Sequence, residues 1–237
     1  MTTYLALVRA LLGGIASRAR LGGLIALGVV AVLVAFVIAQ SDPASPTQAG
    51  ASLINVYGLT ILVPVVTLVF ASAALGDLVD DQTLVYLWLR PTARWLLAAA
   101  AFTAALVVAA PVAIVPLVLA AVVVDNTGGL VAGATLGAAL GVAGYTGVFV
   151  ALGLMARRAL AWGLLYILIW EGFVARAGTS SSQLSIQYYS RSALGQLADV
   201  SLRLSGASMT TALLIPVAVA IVGIAVTTHR LRRISVA

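Results

Sequence analysis

The chain has 237 residues, 62% of them hydrophobic and 8% charged, with a formal net charge of +6. Soluble domains carry about a quarter charged residues; this composition instead describes an integral membrane protein. All thirteen basic residues are arginine, cysteine is absent and His229 is the one histidine, which excludes a P-loop lysine, Schiff-base chemistry, a disulfide framework and a clustered soft-ligand metal site.

Several runs exceed the roughly 20 apolar residues of a spanning helix and lack the alternation of a barrel strand, so the expected fold is all-α. Residues 1–20 place Leu5, Val8, Leu12 and Ile15 at helical spacing beside Arg9, Arg18 and Arg20, the pattern of an interfacial helix. The first span follows from about Leu21 to Gln40. Val37 and Ala39 offer cleavage-like small residues, but the apolar run is longer than a signal h-region, so the span is read as retained. A turn with two prolines, SDPASPTQAG, leads to a second span over about Ser52 to Leu75.

A polar-led loop comes next, and then a third span over about Trp95 to Val124, with Pro111 and Pro116 as kink sites. DNTGG turns the chain into a fourth span, about Leu130 to Met155. A shorter fifth covers about Leu160 to Val174, and a sixth about Thr210 to Thr228. The segment 176–208 is too polar to cross; Leu194, Leu197, Val200 and Leu204 share a helical face, so it is expected to carry a helix lying along the outer surface. Residues 21–237 form one six-span domain without internal repeats.

Basic residues near spans are retained in the cytoplasm. Ten arginines fall on one side of this layout, and only Arg176, Arg191 and Arg203 fall opposite. Both termini are therefore expected inside the cytoplasmic membrane. Because the arginines sit at span ends rather than on one solvated face, nucleic acid is not an expected partner.

The loop after the second span reads DDQTLVYLWLRPTARW. Asp77, Asp80 and Asp81 favour the start of a short helix and Arg90 its end; Leu84, Leu87 and Trp88 share a face, and Pro91 stops it. The expectation is an amphipathic helix over about Asp80 to Leu89, displayed in the cytoplasm to dock in a groove, since its acidic lead disfavours an anionic leaflet.

The order Asp80, Asp81, Gln82, Thr83, Leu84, Tyr86, Leu87, Arg90, Pro91 and Arg94 resembles the signature between the second and third spans of type 2 ABC exporter permeases. Gln82 stands where many members have glycine. The layout of interfacial helix, six spans and outer helices resembles that family as well. The resemblance implies a permease paired with an identical or paralogous second permease in the lipid bilayer and with two cytoplasmic ATPase subunits, which would carry ATP and magnesium; this chain would hold no cofactor. It also implies that the loop is the coupling helix, with Asp80, Asp81, Thr83, Leu84, Leu87, Trp88, Arg90 and Pro91 as its contact residues.

Glu171, at the end of the fifth span, is a functional candidate as an ionisable group near membrane depth; the competing reading puts it at the outer interface, hydrated or paired with Arg176 or Arg191. Gly133, Gly137 and Gly141 suit close helix packing, within the chain or between subunits. Tyr188 and Tyr189 are read either as a gate on an exit pathway or as interfacial anchors. No catalytic or metal-binding set is expected. A proton-coupled carrier built on Glu171 and a non-exporting processing component of the same architecture are the alternatives to an exporter.

Overall fold

The structure, a computed structural model, describes residues 2–83, 93–126, 128–176 and 178–233, and among these it is helical with no strand. The long helices are α2 (Arg18–Gln40), α3 (Pro46–Asp80), α4 (Arg94–Val124), α5 (Gly128–Met155) and α9 (Met209–Arg233). Each is long and apolar enough to cross a membrane. The shorter ones are α1 (Thr2–Ile15), α6 (Ala159–Glu171), α7 (Thr179–Ser182) and α8 (Ile186–Leu197).

The expected fifth span corresponds to α6, which is seven residues of α-helix followed by six of π-helix. At 1.5 Å per residue this reaches about 20 Å, short of a hydrocarbon core of about 30 Å. The chain turns at Gly172 and enters a short 3-10 turn over Val174–Arg176. Apolar composition alone does not measure a span when the helix ends before the apolar run does.

The core is built on α3 and α5, which pack against each other and have 78% and 72% of their apolar stretches buried, against 22% for α2 and for α9. The peripheral pair each bury a narrow stripe, Leu24, Gly28, Ala31 and Ala35 on α2 and Ala212, Pro216, Ala220 and Gly223 on α9. Glycine sets the central distances. A Cβ on Gly153 would fall 2.3 Å from the Ser72 carbonyl oxygen, and one on Gly223 would fall 2.3 Å from that of Gly147. Only the missing side chains let α3 and α9 approach α5 so closely.

Pro46 occupies the first turn of α3, so this helix starts within the expected polar turn, several residues before Ser52. Between Ile54 and Leu62 it widens to π-helix. Pro64 cannot donate the N–H that would bond the Thr60 carbonyl, and the wide turn lies directly ahead of it. In α4 the helix continues through Pro111 and Pro116.

Two amphipathic expectations are corrected. The buried face of α1 is Leu7, Val8, Leu11 and Ile15, with Leu5 55% exposed; α1 packs on α4, where the Tyr4 hydroxyl meets Thr103 Oγ1 at 2.6 Å. The helix is apolar on more than one side, and contact with protein selects the face. The second correction concerns α8, which does not lie on the surface. It is buried over most of Ile186 to Gly195 and packs against α5 and α9. It also ends at Leu197, and Leu204 has a φ of 60° in the irregular chain that follows, so Val200 and Leu204 do not continue its face.

Candidate functional site

Two polar regions stand out within this apolar framework. The first lies at the C-terminal end of α3. Asp77 accepts a bidentate pair of hydrogen bonds from Arg20, at 2.7 and 3.3 Å, which ties the end of α3 to the first turn of α2. Arg20, Asp77, Asp80 and Arg158 line a small cleft of about 90 Å³.

Asp77 and Asp80 therefore belong to the end of the long helix rather than to the lead of a following one. The helix is closed by Gln82 N–H donating to the Val79 carbonyl at 3.2 Å and Thr83 N–H donating to the Leu78 carbonyl at 3.0 Å. With Gln82 at φ 57°, this is a Schellman closure, whose left-handed residue is usually glycine. Gln82 occupies the one backbone position of the turn that glycine suits best. Asp81 is exposed in the same turn. Leu84, Leu87, Trp88, Arg90 and Pro91 lie outside the described residues.

The second region surrounds Glu171, which is 1% exposed, so its carboxylate is enclosed by protein rather than open to solvent. Its carboxylate accepts hydrogen bonds from the Ser185 hydroxyl and, at 3.4 Å, from the Tyr166 hydroxyl. Ser185 is also the N-cap of α8, with its Oγ accepting from Tyr188 N–H. Glu171 thus sits against the start of a helix, beside the Ile186 N–H, where the dipole favours negative charge. Tyr145, stacked on Phe149 at 5.7 Å, faces the carboxylate without a hydrogen bond of ordinary geometry among the described residues.

Arg191, named in the sequence as a partner for Glu171, is directed elsewhere. Its Nε donates to Asn55 Oδ1 at 2.8 Å and its Nη1 to the Arg203 carbonyl at 3.0 Å. Gln187, one turn earlier on α8, donates to Thr60 Oγ1, and Thr60 donates to the Asn55 carbonyl at 2.9 Å. The wide turn of α3 is therefore the receptor for the polar face of α8.

The glycine row of α5 forms the seat for the adjoining part of the same side of α8. A Cβ on Gly133 would fall 2.9 Å from the Leu194 carbonyl oxygen, one on Gly137 would fall 2.8 Å from that of Ser190, and one on Gly141 would fall 3.2 Å from Ser190 Oγ. These three glycines pack α8 inside the chain. Tyr189 is buried and donates to the Gln183 carbonyl at 2.6 Å, while Tyr188 meets it edge-on at 5.2 Å.

The structure brings together Glu171 with Tyr145, Tyr166 and Ser185, and Asn55 with Thr60, Gln187 and Arg191. Of these, Glu171 stood out in the sequence, and Arg191 was named there only as a partner for it. Asn55 and Thr60 left a trace as polar residues five apart in an apolar run; Tyr145 and Tyr166 left none, because tyrosines are common in spans. Taken together, the framework and its five long apolar helices define a multi-pass α-helical membrane protein. No protein-family model and no curated protein matches the chain.

Proposed function

We propose that the chain is the membrane-spanning permease subunit of an ABC exporter in the cytoplasmic membrane, with both termini inside and the sixth passage of the layout made by α6 together with the residues that follow it. Two such subunits, identical or paralogous, pair with two ATPase subunits that carry ATP and magnesium, and the cargo is a drug-like, lipid-like or other amphipathic molecule. The observation that carries this reading is the family-like motif of residues 80–94, set at the closed end of α3. Closure of the ATPases would press on segment 84–91. The Schellman turn and the Arg20–Asp77 bond would pass that force to α3 and α2 together, and α3 is one of the two central helices.

The test is co-purification from the native host in mild detergent. A stoichiometric P-loop ATPase is expected with the wild-type chain, and its recovery and the stimulated ATP hydrolysis are both expected to fall with Leu87→Asp or Trp88→Asp. An unpaired charge in a docking face costs several kcal/mol. Unchanged recovery and hydrolysis in both variants would remove the docking assignment.

A proton-coupled carrier is the second reading, favoured by the burial of Glu171 among hydroxyl groups. It requires transport driven by a pH gradient in liposomes without any ATPase, and loss of that transport in Glu171→Gln.

A further inference from the structure

The start of α2 and the end of α9 lie at the same end of the bundle. The Arg20–Asp77 bond joins the start of α2 to the end of α3. Gly141 faces Val63 and Gly76 faces Gly153, so α5 runs parallel to α3; Gly144 faces Pro216 and Gly147 faces Ala220, so α9 runs parallel to α5. We propose that this end of the protein binds the head groups of anionic phospholipids through Arg18 of α2 and Arg232 and Arg233 of α9.

Helical register carries the argument. On α2, Arg18 shares one side with Ile25, Val29 and Phe36, all exposed. On α9, Leu214, Ile221 and Arg232 fall on one line and Val222, Val226 and Arg233 on the next, again all exposed, while Thr227 and Leu231 on the other side are buried. These two helices are the peripheral ones, so in a bilayer their exposed apolar sides face lipid tails. An arginine that continues such a side beyond its last apolar residue falls at the level of the head groups.

Guanidinium groups fork onto phosphate oxygens, and basic residues beside a spanning helix are drawn to an anionic surface. None of residues 200–237 is acidic, so α9 offers its arginines no carboxylate of its own. At this end the exposed acids among the described residues are Asp80 and Asp81, which close the central helix α3. The helix dipole accounts for cations at the end of α9 but opposes Arg18 at the start of α2. A layer of anionic head groups attracts all three.

This surface stands apart from ATPase coupling, and its test uses no ATPase. The full-length chain, stripped of lipid in an uncharged detergent, is titrated with phosphatidylglycerol, phosphatidylcholine and glycerol phosphate; bound lipid is counted by native mass spectrometry, and stability is followed by thermal melting. Phosphatidylcholine carries the same phosphate beside a cation, so phosphatidylglycerol is expected to bind about tenfold more tightly, and glycerol phosphate, which has no chains to rest on the helices, is expected not to displace it. The Arg232→Gln, Arg233→Gln double variant is expected to weaken phosphatidylglycerol binding about tenfold and Arg18→Gln about threefold. The side chains are exposed, so the unliganded melting temperature should hold, and the Arg232→Lys, Arg233→Lys variant should keep most of the affinity. Arg203→Gln, at the opposite end, is the control for bulk charge and is expected to bind like the wild type. The proposal is overturned by equal affinity for the two lipids, by displacement of phosphatidylglycerol by glycerol phosphate, by wild-type affinity in the double variant, which would leave those arginines a purely structural role, or by equal weakening in Arg203→Gln and the double variant.

Discussion

Glu171 and Asp77 are both carboxylates at helix ends, and the protein solves them in opposite ways. Asp77 is about 40% exposed and holds an arginine that is itself about 32% exposed. Glu171 is buried, is satisfied by hydroxyl groups, and faces the start of α8 rather than a cation. Both lie at the C-terminal end of their own helix, where the dipole disfavours negative charge. Asp77 is offset by a neighbour's guanidinium and Glu171 by the opposite end of another helix. One arrangement is accessible to water and salt; the other depends on α8 being in place.

The largest expected effect is therefore at Glu171. Glu171→Leu leaves the Ser185 and Tyr166 hydroxyls without their acceptor, at about 1–3 kcal/mol for each buried group, and is expected to lower thermal stability in detergent strongly. Glu171→Gln, which keeps an acceptor, is expected to cost less than half as much; equal losses in the two variants would show that charge rather than hydrogen bonding holds α8. Next comes the seat of the same helix. Gly137→Leu forces a side chain against the Ser190 carbonyl and is expected to cost about 1–3 kcal/mol by overpacking, with increased proteolysis near 198–208. Gly22→Ala, with nothing within 4 Å of its Cβ, is the matched control and is expected to be neutral or slightly stabilising.

At the other carboxylate, a double-mutant cycle of Arg20→Ala and Asp77→Ala is expected to give a coupling of about 0.5–1 kcal/mol, because half-exposed pairs are weak. That coupling should shrink between low and high salt, whereas the cycle of Glu171→Leu and Ser185→Ala should not. A salt-sensitive Glu171 coupling would erase the contrast between the two sites. The smallest effect is at the helix closure: Gln82→Gly is expected to stabilise by about 0.5–1 kcal/mol, since the left-handed conformation costs a side-chain-bearing residue more than glycine. A destabilised Gln82→Gly, read by the same thermal melts, would mean that the Gln82 side chain has a role beyond the turn.

Membrane character, helical class and the position of the long helices were legible in residue order alone, because a backbone in hydrocarbon must satisfy its own hydrogen bonds and length then follows from apolar run. The arginines at span ends were legible for the same local reason, whereas Asp77 and Asp80, read as the lead of a following helix, belong to the end of α3. Partners across the bundle were not legible. Arg191 was matched to Glu171 by opposite charge and by nearness in sequence, whereas in the fold it meets Asn55, 136 residues away. The amphipathic stripe of α8 fits a membrane surface as well as a glycine-lined seat, since periodicity records that one face is apolar and says nothing of what covers it. Local hydrogen bonding and hydropathy belong to the sequence. Only the tertiary structure decided that a polar helix enters the bundle, because its hydroxyl, amide and guanidinium groups are satisfied there by residues that meet through packing rather than through order along the chain.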